Sequence, residues 1–474
     1  MTAERRRQDR TRRPAPRKQG PRRPPVHDPA RRAAFDVLRA ISDRDAYANL
    51  VLPELLRERR ITGRDAALAT ELTYGTARAQ GLLDEIIAAC LDRPLEKVDR
   101  AVLDGLRLGS YQLLRTRIPH HAAVASTVDL VREEAGSHVA GFANAVLRKV
   151  SEKDEQEWLA ELAPDPETDP IGNLALRTAH PRWIARAFAE SLGDKGAELE
   201  AALRADDARP AVHLLARPGE ISAEELAAVT AGEVAPYSPY GVHLPAGTGD
   251  LTESEPIRQG LATVQDEGSQ LVAVAATEVG LTGAGDSRWL DLAAGPGGKA
   301  VLLGALAALS GAELDAVEKA PHRARLVRRV TEGLPVTVHV ADGRDPGLAA
   351  GYDRVLLDAP CSGLGSLRRR PEARWRKEPS DIPDLTRLQG ELLGSAIRLL
   401  RTGGVVTYVV CTPHLAETEG VISDAVRRND GVVEVVDARE FFPGVPDLGE
   451  GPYVQLWPHR HGTDAMFCAM LRKL

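Results

Sequence analysis

The chain is poor in cysteine: Cys90, Cys361, Cys411 and Cys468 are the only four in 474 residues. They are too few and too scattered for a disulfide framework, and none has the spacing of a metal-ligand pair. His120 and His121 fall in what reads as a loop without a carboxylate or cysteine partner, so no metal site is expected. No apolar run approaches the roughly 20 residues that span a bilayer. The first residues are rich in arginine but lack the apolar stretch of a secretory signal. A reduced, cytoplasmic protein without membrane attachment is the expectation. The dinucleotide fingerprint G-x-G-x-x-G is also missing where a cofactor loop does occur, which disfavours NAD.

Apolar content of 43% and charged content of 27% are those of an ordinary globular protein, and the length suits two or three domains. The net charge of −7 conceals an asymmetry. Residues 1–25 hold ten Arg/Lys and two acids, a local +8 that leaves −15 for the rest. A basic, proline-containing, aromatic-free arm (residues 1–27) is expected to be disordered and suited to non-specific phosphate contact.

From residue 28 to 150, apolar residues recur at three- and four-residue steps with Pro and Gly between the segments, which predicts a helical bundle. Residues 151–175, rich in Glu, Asp and Pro, read as a linker. Residues 176–285 open with a helical pattern at Trp183 and contain short strands near Val212 and Val242, a small α+β subdomain. From 286 to 474, near-continuous apolar strands alternate with helices. That pattern predicts a parallel sheet covered on both faces, with ligands at the carboxyl ends of its strands.

Those strand ends carry the chemistry. Asp291 closes one strand and leads into Ala293-Ala294-Gly295-Pro296-Gly297-Gly298-Lys299, a glycine-rich turn opening a helix. Such a turn lets the backbone approach a ligand and aims free N–H groups at it. Glu318, about 20 residues on, suits a ribose hydroxyl pair. Asp342, Asp358 and Cys411 end or follow the next strands, and Cys361 lies just past Asp358. If the last two strands are neighbours, Cys361 and Cys411 share one cleft, and two thiols without metal-ligand companions suggest nucleophilic chemistry. A thiolate, a carboxyl group and a cofactor cleft suit methylation of pyrimidine carbon-5. Adding the thiolate to carbon-6 makes carbon-5 nucleophilic, and Asp358 can hydrogen-bond the cytosine N3/N4 edge. The residues alone do not choose between the thiols. Residues 368–377 (RRRPEARWRK) read as a basic, aromatic-bearing loop beside the cleft, suited to phosphates and splayed bases.

Two resemblances extend this reading. Arg64-Asp65 and residues 71–76, 106–114 and 140–148 resemble the NusB fold, an all-helical RNA-binding module. The loop at 291–299, Asp342-Gly343-Arg344, residues 358–363, Cys411-Thr412-Pro413 with Glu417, Pro458-His459 and residues 462–467 resemble the RNA (cytosine-C5) methyltransferases. Together they resemble the bacterial 16S rRNA branch of that family. The resemblance implies a multidomain chain: a NusB-like helical bundle, a small α+β subdomain and an α/β Rossmann-like class I methyltransferase domain. It implies S-adenosylmethionine held by Ala293 to Lys299, Glu318, Asp342 and Asp358, with Cys411 as nucleophile and Cys361 as the release-assisting thiol. It implies 16S rRNA as partner, free or in an assembling ribosomal particle, and a monomeric enzyme. The same chemistry on tRNA, or a non-catalytic RNA-binding factor, are the alternatives. The chain departs from the family pattern at Gly295 (usually alanine), at Val410-Cys411-Thr412 (usually Thr-Cys-Ser) and at Glu417-Thr418-Glu419 (usually Glu-Glu-Asn); none removes a reacting group.

Overall fold

The computed structural model describes residues 28–245, 251 and 254–474, apart from the side chains of residues 194 and 195. The basic arm, residues 1–27, lies outside the described residues. Six helices come first: α1 (Pro29–Arg44), α2 (Ala48–Glu58), α3 (Gly63–Ala89), α4 (Arg100–Arg115), α5 (His120–Ala135) and α6 (Ala140–Val150). Asp28 and Asp99 cap α1 and α4, accepting from the backbone N–H of Arg31 and of Ala101 and Val102, donors that a first turn otherwise leaves unpaired. The apolar stripes converge on one core in which Phe35, Leu72, Leu83, Leu106 and Leu147 are fully buried. His120 and His121 form the first turn of α5 rather than a loop, because the helix begins directly after Pro119.

The stretch expected as a linker is largely helical. It holds α7 (Glu155–Leu162) and the start of α8 (Pro170–Arg177). Asp154 accepts from the Glu157 N–H while the Glu157 carboxylate accepts from the Asp154 N–H, a capping box. Trp158 is buried in the first core, its indole N–H donating to the Val150 carbonyl at 3.1 Å. Several of the acids that suggest a linker by composition are caps (Asp154, Asp169) or first-turn residues (Glu155, Glu157), where negative charge is favoured. α9 (Arg182–Leu192) and α10 (Leu199–Asp207) follow.

Strands β1 (Val212–Ala216), β2 (Glu233–Val234), β3 (Gly241–Leu244) and β4 (Ala262–Val264) form an antiparallel sheet in the order β2-β3-β1-β4. It carries α11 (Ala223–Thr230) and is followed by α13 (Glu267–Glu278), with the short α12 (Glu255–Arg258) just before β4. The large sheet comprises β5 (Arg288–Asp291), β6 (Glu313–Val317), β7 (Val336–His339), β8 (Tyr352–Asp358), β9 (Leu400–Val410), β10 (Val433–Val436), β11 (Val454–Gln455) and β12 (Phe467–Lys473). Its order is β10-β12-β9-β8-β5-β6-β7, with β11 beside β12. α13 and α14 (Gly298–Ser310) contribute to one buried face, α16 (Ile382–Leu399) and α17 (Glu419–Arg428) to the other; α15 (Pro321–Val330) joins β6 to β7. β7, β6, β5, β8 and β9 are parallel, as expected, but β12 enters antiparallel between β9 and β10. The sheet is therefore mixed, since apolar periodicity marks a strand without marking its direction.

The largest departure concerns residues 368–377, which serve as an internal clasp rather than an open basic loop. Arg368 and Arg369 are both paired with the buried carboxylates of Asp266 and Asp464 at 2.6–3.1 Å. Arg374, 0% exposed, donates to Asp207 at 2.9 Å and to the Asp206 carbonyl at 2.8 Å. The Trp375 indole donates to the Ala77 carbonyl at 3.0 Å and fills the space left by Gly81 in α3. Glu372 accepts from the Ala48 N–H at 3.1 Å and so caps α2. Arg376 donates to the Asp45 carbonyl at 2.9 Å, and Tyr47 lies between Arg370 and Arg376. The carboxylates that neutralise this run are 95 or more residues away in sequence, which is why composition alone suggests free cations.

The clasp predicts that Arg374→Ala, which strips a buried carboxylate of its cation, costs about 3 kcal/mol. A fall in the urea unfolding midpoint measures it.

Candidate active site

The parallel strands bring Asp291, Glu318, Asp342, Asp358, Cys361 and Cys411 to one edge of the sheet, because all five of those strands run in the same direction and each ends there. The glycine-rich turn after β5 is tied down by two backbone bonds, Leu292 N–H to the Leu356 carbonyl and Ala294 N–H to the Val317 carbonyl, both 2.9 Å. Gly297 has φ +116°, and a β-carbon there would meet Val330 at 2.5 Å, so only glycine fits. A β-carbon on Gly295 would fall 2.0 Å from Glu318 Oε2. Glycine at this position thus leaves room for the Glu318 carboxylate, which also accepts from the Ala320 N–H at 2.7 Å. Arg323 holds the same corner, donating to the Gly295 carbonyl and lying 3.4 Å from Glu318. Pro296 lies between these glycines, Ala293 lies beside the apolar cluster under β8 and β9, and Gly298 starts α14. Asp342 pairs with Arg344 at 2.7 Å and Lys319 at 3.0 Å, and the Arg344 guanidinium holds its carboxyl well below the usual range.

A second group lies deeper. Lys299 donates to Asp358 at 2.7 Å and lies 3.4 Å from the Ser269 hydroxyl. Burial works against the ammonium, but the Asp358 charge and hydrogen bond hold its pKa above the ordinary value. Asp291 is 1% exposed and its Oδ1 has no partner. Burial, reinforced by the Asp358 charge, pushes its carboxyl up to about 7.

Beside this group the Cys361 and Cys411 sulfurs are 3.4 Å apart. Their directions differ. A hydrogen bond from Cys361 favours the Cys411 thiolate and outweighs burial, with Lys299 adding a favourable charge, so the Cys411 pKa is lowered. The Cys361 thiol is raised by the same bond, by burial and by the charges of Cys411, Glu417 and Asp358. The same contact therefore acts on the two thiols in opposite directions, lowering Cys411 and raising Cys361.

Four residues outside the sequence-based site turn out to position it. Glu417, fully buried, accepts from the Ser362 N–H at 2.8 Å, from the Ser362 hydroxyl and from the Gln389 amide at 3.0 Å. Ser362 lies 3.0 Å from the Thr412 hydroxyl, and the Gly365 N–H donates to the Cys411 carbonyl at 2.9 Å. The loops after β8 and β9 are thus sewn together. Glu417 belongs to a motif visible in the sequence, Ser362 and Thr412 adjoin the two cysteines, and Gln389 sits inside α16 with no local signal. Among the described residues no group of three or more potential metal ligands occurs.

Comparison with known proteins places this arrangement. The family model described as 16S rRNA methyltransferase RsmB/F matches residues 279–472, and the NusB family model matches residues 28–152. A putative methyltransferase of Mycobacterium tuberculosis is 58% identical, covering 97% of this chain and 99% of its own. The ribosomal RNA small subunit methyltransferase B of Pseudomonas putida is 33% identical, covering 94% and 98%. The crystal structure of PH0851 superposes with a TM-score of 0.79 at 23% identity, over 94% of this chain and 99% of that one.

Two measurements follow from these electrostatics. The Asp291 carboxyl binds its proton more tightly folded than unfolded, so its contribution to stability is complete below about pH 4 and is lost as pH rises through about 7. Unfolding midpoints of the ligand-free protein across that window should decline, and Asp291→Asn should flatten the decline. Alkylation of Cys411 by iodoacetamide should begin at higher pH in Cys361→Ala, because the hydrogen bond that favours its thiolate is lost.

Proposed function

This chain belongs to the 16S rRNA methyltransferase RsmB/F family, and we propose that it methylates carbon-5 of a cytosine in 16S ribosomal RNA through a covalent cysteine adduct. At the coarser level it is an S-adenosylmethionine-dependent RNA methyltransferase. The observation that carries the finer reading is the pair of sulfurs 3.4 Å apart at the ends of adjacent strands, beside Lys299 and Asp358.

The residues present fit the cofactor. Glu318, against Gly295 and only 6% exposed, has the place and chemistry to take a ribose hydroxyl pair. The orphaned Oδ1 of Asp291 and the carboxylate of Asp358 suit a cation, while Asp342, already paired with Arg344 and Lys319, keeps lone pairs for a polar group of the cofactor. Ala293, Ala294, Gly295, Pro296, Gly297, Gly298 and Lys299 form the backbone cradle. When bound, S-adenosylmethionine supplies an electrophilic sulfonium methyl group.

The chain's own residues do the rest. The Cys411 thiolate, favoured by Cys361 and Lys299, adds to carbon-6 of the cytosine; its electron pair forms the S–C6 bond while the carbon-5–carbon-6 π pair moves onto carbon-5. Asp358, held by Lys299, hydrogen-bonds the N3/N4 edge and stabilises the charge developed there. Carbon-5 takes the methyl group. A base then removes the carbon-5 proton, the double bond re-forms, and the Cys411 thiolate leaves; Cys361 assists this release. The target base is splayed from its stack to reach the sulfur. The helical unit of α1 to α6 docks the RNA, consistent with its NusB family match. The name of the Pseudomonas putida relative supports ribosomal RNA as the substrate.

The test uses the whole protein with cofactor and 16S rRNA, followed by a denaturing gel. Cys361→Ala should accumulate a covalent protein–RNA adduct, and Cys411→Ala should yield neither adduct nor 5-methylcytosine. The opposite pattern transfers the nucleophile to Cys361, and methylation surviving in Cys411→Ala overturns the covalent route.

A further inference from the structure

The clasp raises a question of charge. An RNA substrate brings many phosphates, and the chain outside its basic arm carries a net −15. The arginines that the sequence offers beside the cleft are largely turned inward, with Arg368, Arg369 and Arg374 each paired to buried carboxylates. The phosphates need other partners.

The helix α15 has the complementary pattern. Its ten residues, PHRARLVRRV, include four arginines, one histidine and no acid. Only Ala324 and Val327 are buried; Arg323, Arg325, Arg328 and Arg329 are all exposed. Arg323 is engaged with the Gly295 carbonyl and Glu318, and Arg328 donates to the Val338 carbonyl at 3.1 Å. Arg325 and Arg329 have no ion pair or hydrogen bond among the described residues. They are four apart and therefore neighbours on one face, with Arg328 three from Arg325, a like-charge arrangement that opposes helix formation. The nearby acids are not aimed at them. Asp342 is taken by Arg344 and Lys319, Glu318 by Arg323 and the Ala320 N–H, and Glu332 lies beyond the helix end. Arg217, from the turn after β1, reaches the Glu332 carbonyl at 3.5 Å and continues the basic face towards the small sheet. Leu326 and Val330, 45% and 38% exposed, lie between the arginines.

The position of the helix matters as much as its charge. Val327 and Val330 pack against Gly297, and Arg323 bonds the Gly295 carbonyl, so α15 forms one wall of the cofactor loop. We propose that the exposed face of α15, with Arg325, Arg328 and Arg329 at its centre and Arg217 at its edge, is a phosphate-binding track for the backbone of the substrate RNA. It rests on the reading that this chain modifies RNA, and it goes further by assigning the surface that holds the strand while its base enters the cleft. Contacts of this kind supply affinity and register without reading sequence.

The test is the double variant Arg325→Glu/Arg329→Glu in the full chain. Binding to a 16S rRNA fragment is measured by fluorescence anisotropy from 50 to 300 mM salt, and S-adenosylmethionine binding by calorimetry. Each lost phosphate contact removes about 0.7–0.9 from the slope of log K against log salt. The double variant should therefore lose about 1.4–1.8 of slope and at least tenfold in RNA affinity at low salt, with cofactor affinity retained. Arg325→Gln/Arg329→Gln should fall between it and wild type. RNA affinity and slope equal to wild type in both variants would overturn the proposal and leave α15 to another partner, such as a protein. A wild type that binds the RNA with the expected slope but forms no 5-methylcytosine would sink the proposed chemistry while leaving the track intact.

Discussion

The site depends on β8 and β9 lying side by side in register, with a buried carboxylate joining the loops beyond them. Asp358 pairs with Val409 across the two strands, so the chains leaving them start from the same level. Glu417 then accepts hydrogen bonds from the Cys361 loop and from α16, while its own backbone belongs to the loop after Cys411. A fully buried carboxylate without such donors would be costly. Its three donors therefore stabilise it and fix the separation of the sulfurs at once. The Tyr408 hydroxyl, donating to the Glu417 carbonyl at 2.7 Å, ties the same residue back to β9.

Around this joint, charges are placed so that each settles its neighbour. Lys299 neutralises Asp358 and favours a thiolate at Cys411. Asp358 in turn helps to keep Asp291 protonated. At the deep end of the cleft the ionisation of Asp291 is therefore opposed by burial and by the neighbouring Asp358 charge. This is a reasonable architecture for a site whose cofactor carries a positive sulfur, since binding the cation relieves the crowding of negative charge.

The segment that starts at Cys361 has two duties. Its first residues form the thiol loop, and a few residues on it becomes the clasp that caps α2 through Glu372 and enters α3 through Trp375. The helical unit is consequently joined to the thiol loop by buried polar and aromatic contacts. Leu364 and Leu367 pack with Ile184, Phe188 and Trp457 in the cluster beneath it, which gives the segment an apolar anchor as well. A helical unit held in this way lies at a set distance and angle from the thiols, and α15 flanks the same cleft from the cofactor side.

Much of this was legible in the chain itself. Helical periodicity over residues 28–150, apolar strands ending in Asp, Glu or Cys, and the turn Gly295-Pro296-Gly297-Gly298 are local features, governed by backbone conformation and side-chain period. Reactive residues at parallel strand ends meet at one edge for topological reasons, so Cys361 and Cys411 were foreseeable as neighbours. Tertiary structure decided what depends on partners distant in sequence. Only the folded chain gives Arg368 and Arg369 their partners Asp266 and Asp464, turns an acidic stretch into capped helices, and sets β12 antiparallel to β9. It alone shifts the two thiols in opposite directions, through a 3.4 Å contact and the position of Lys299. A residue's chemical type is written in the sequence, but its charge state and its freedom to meet a ligand are set by whatever packs against it.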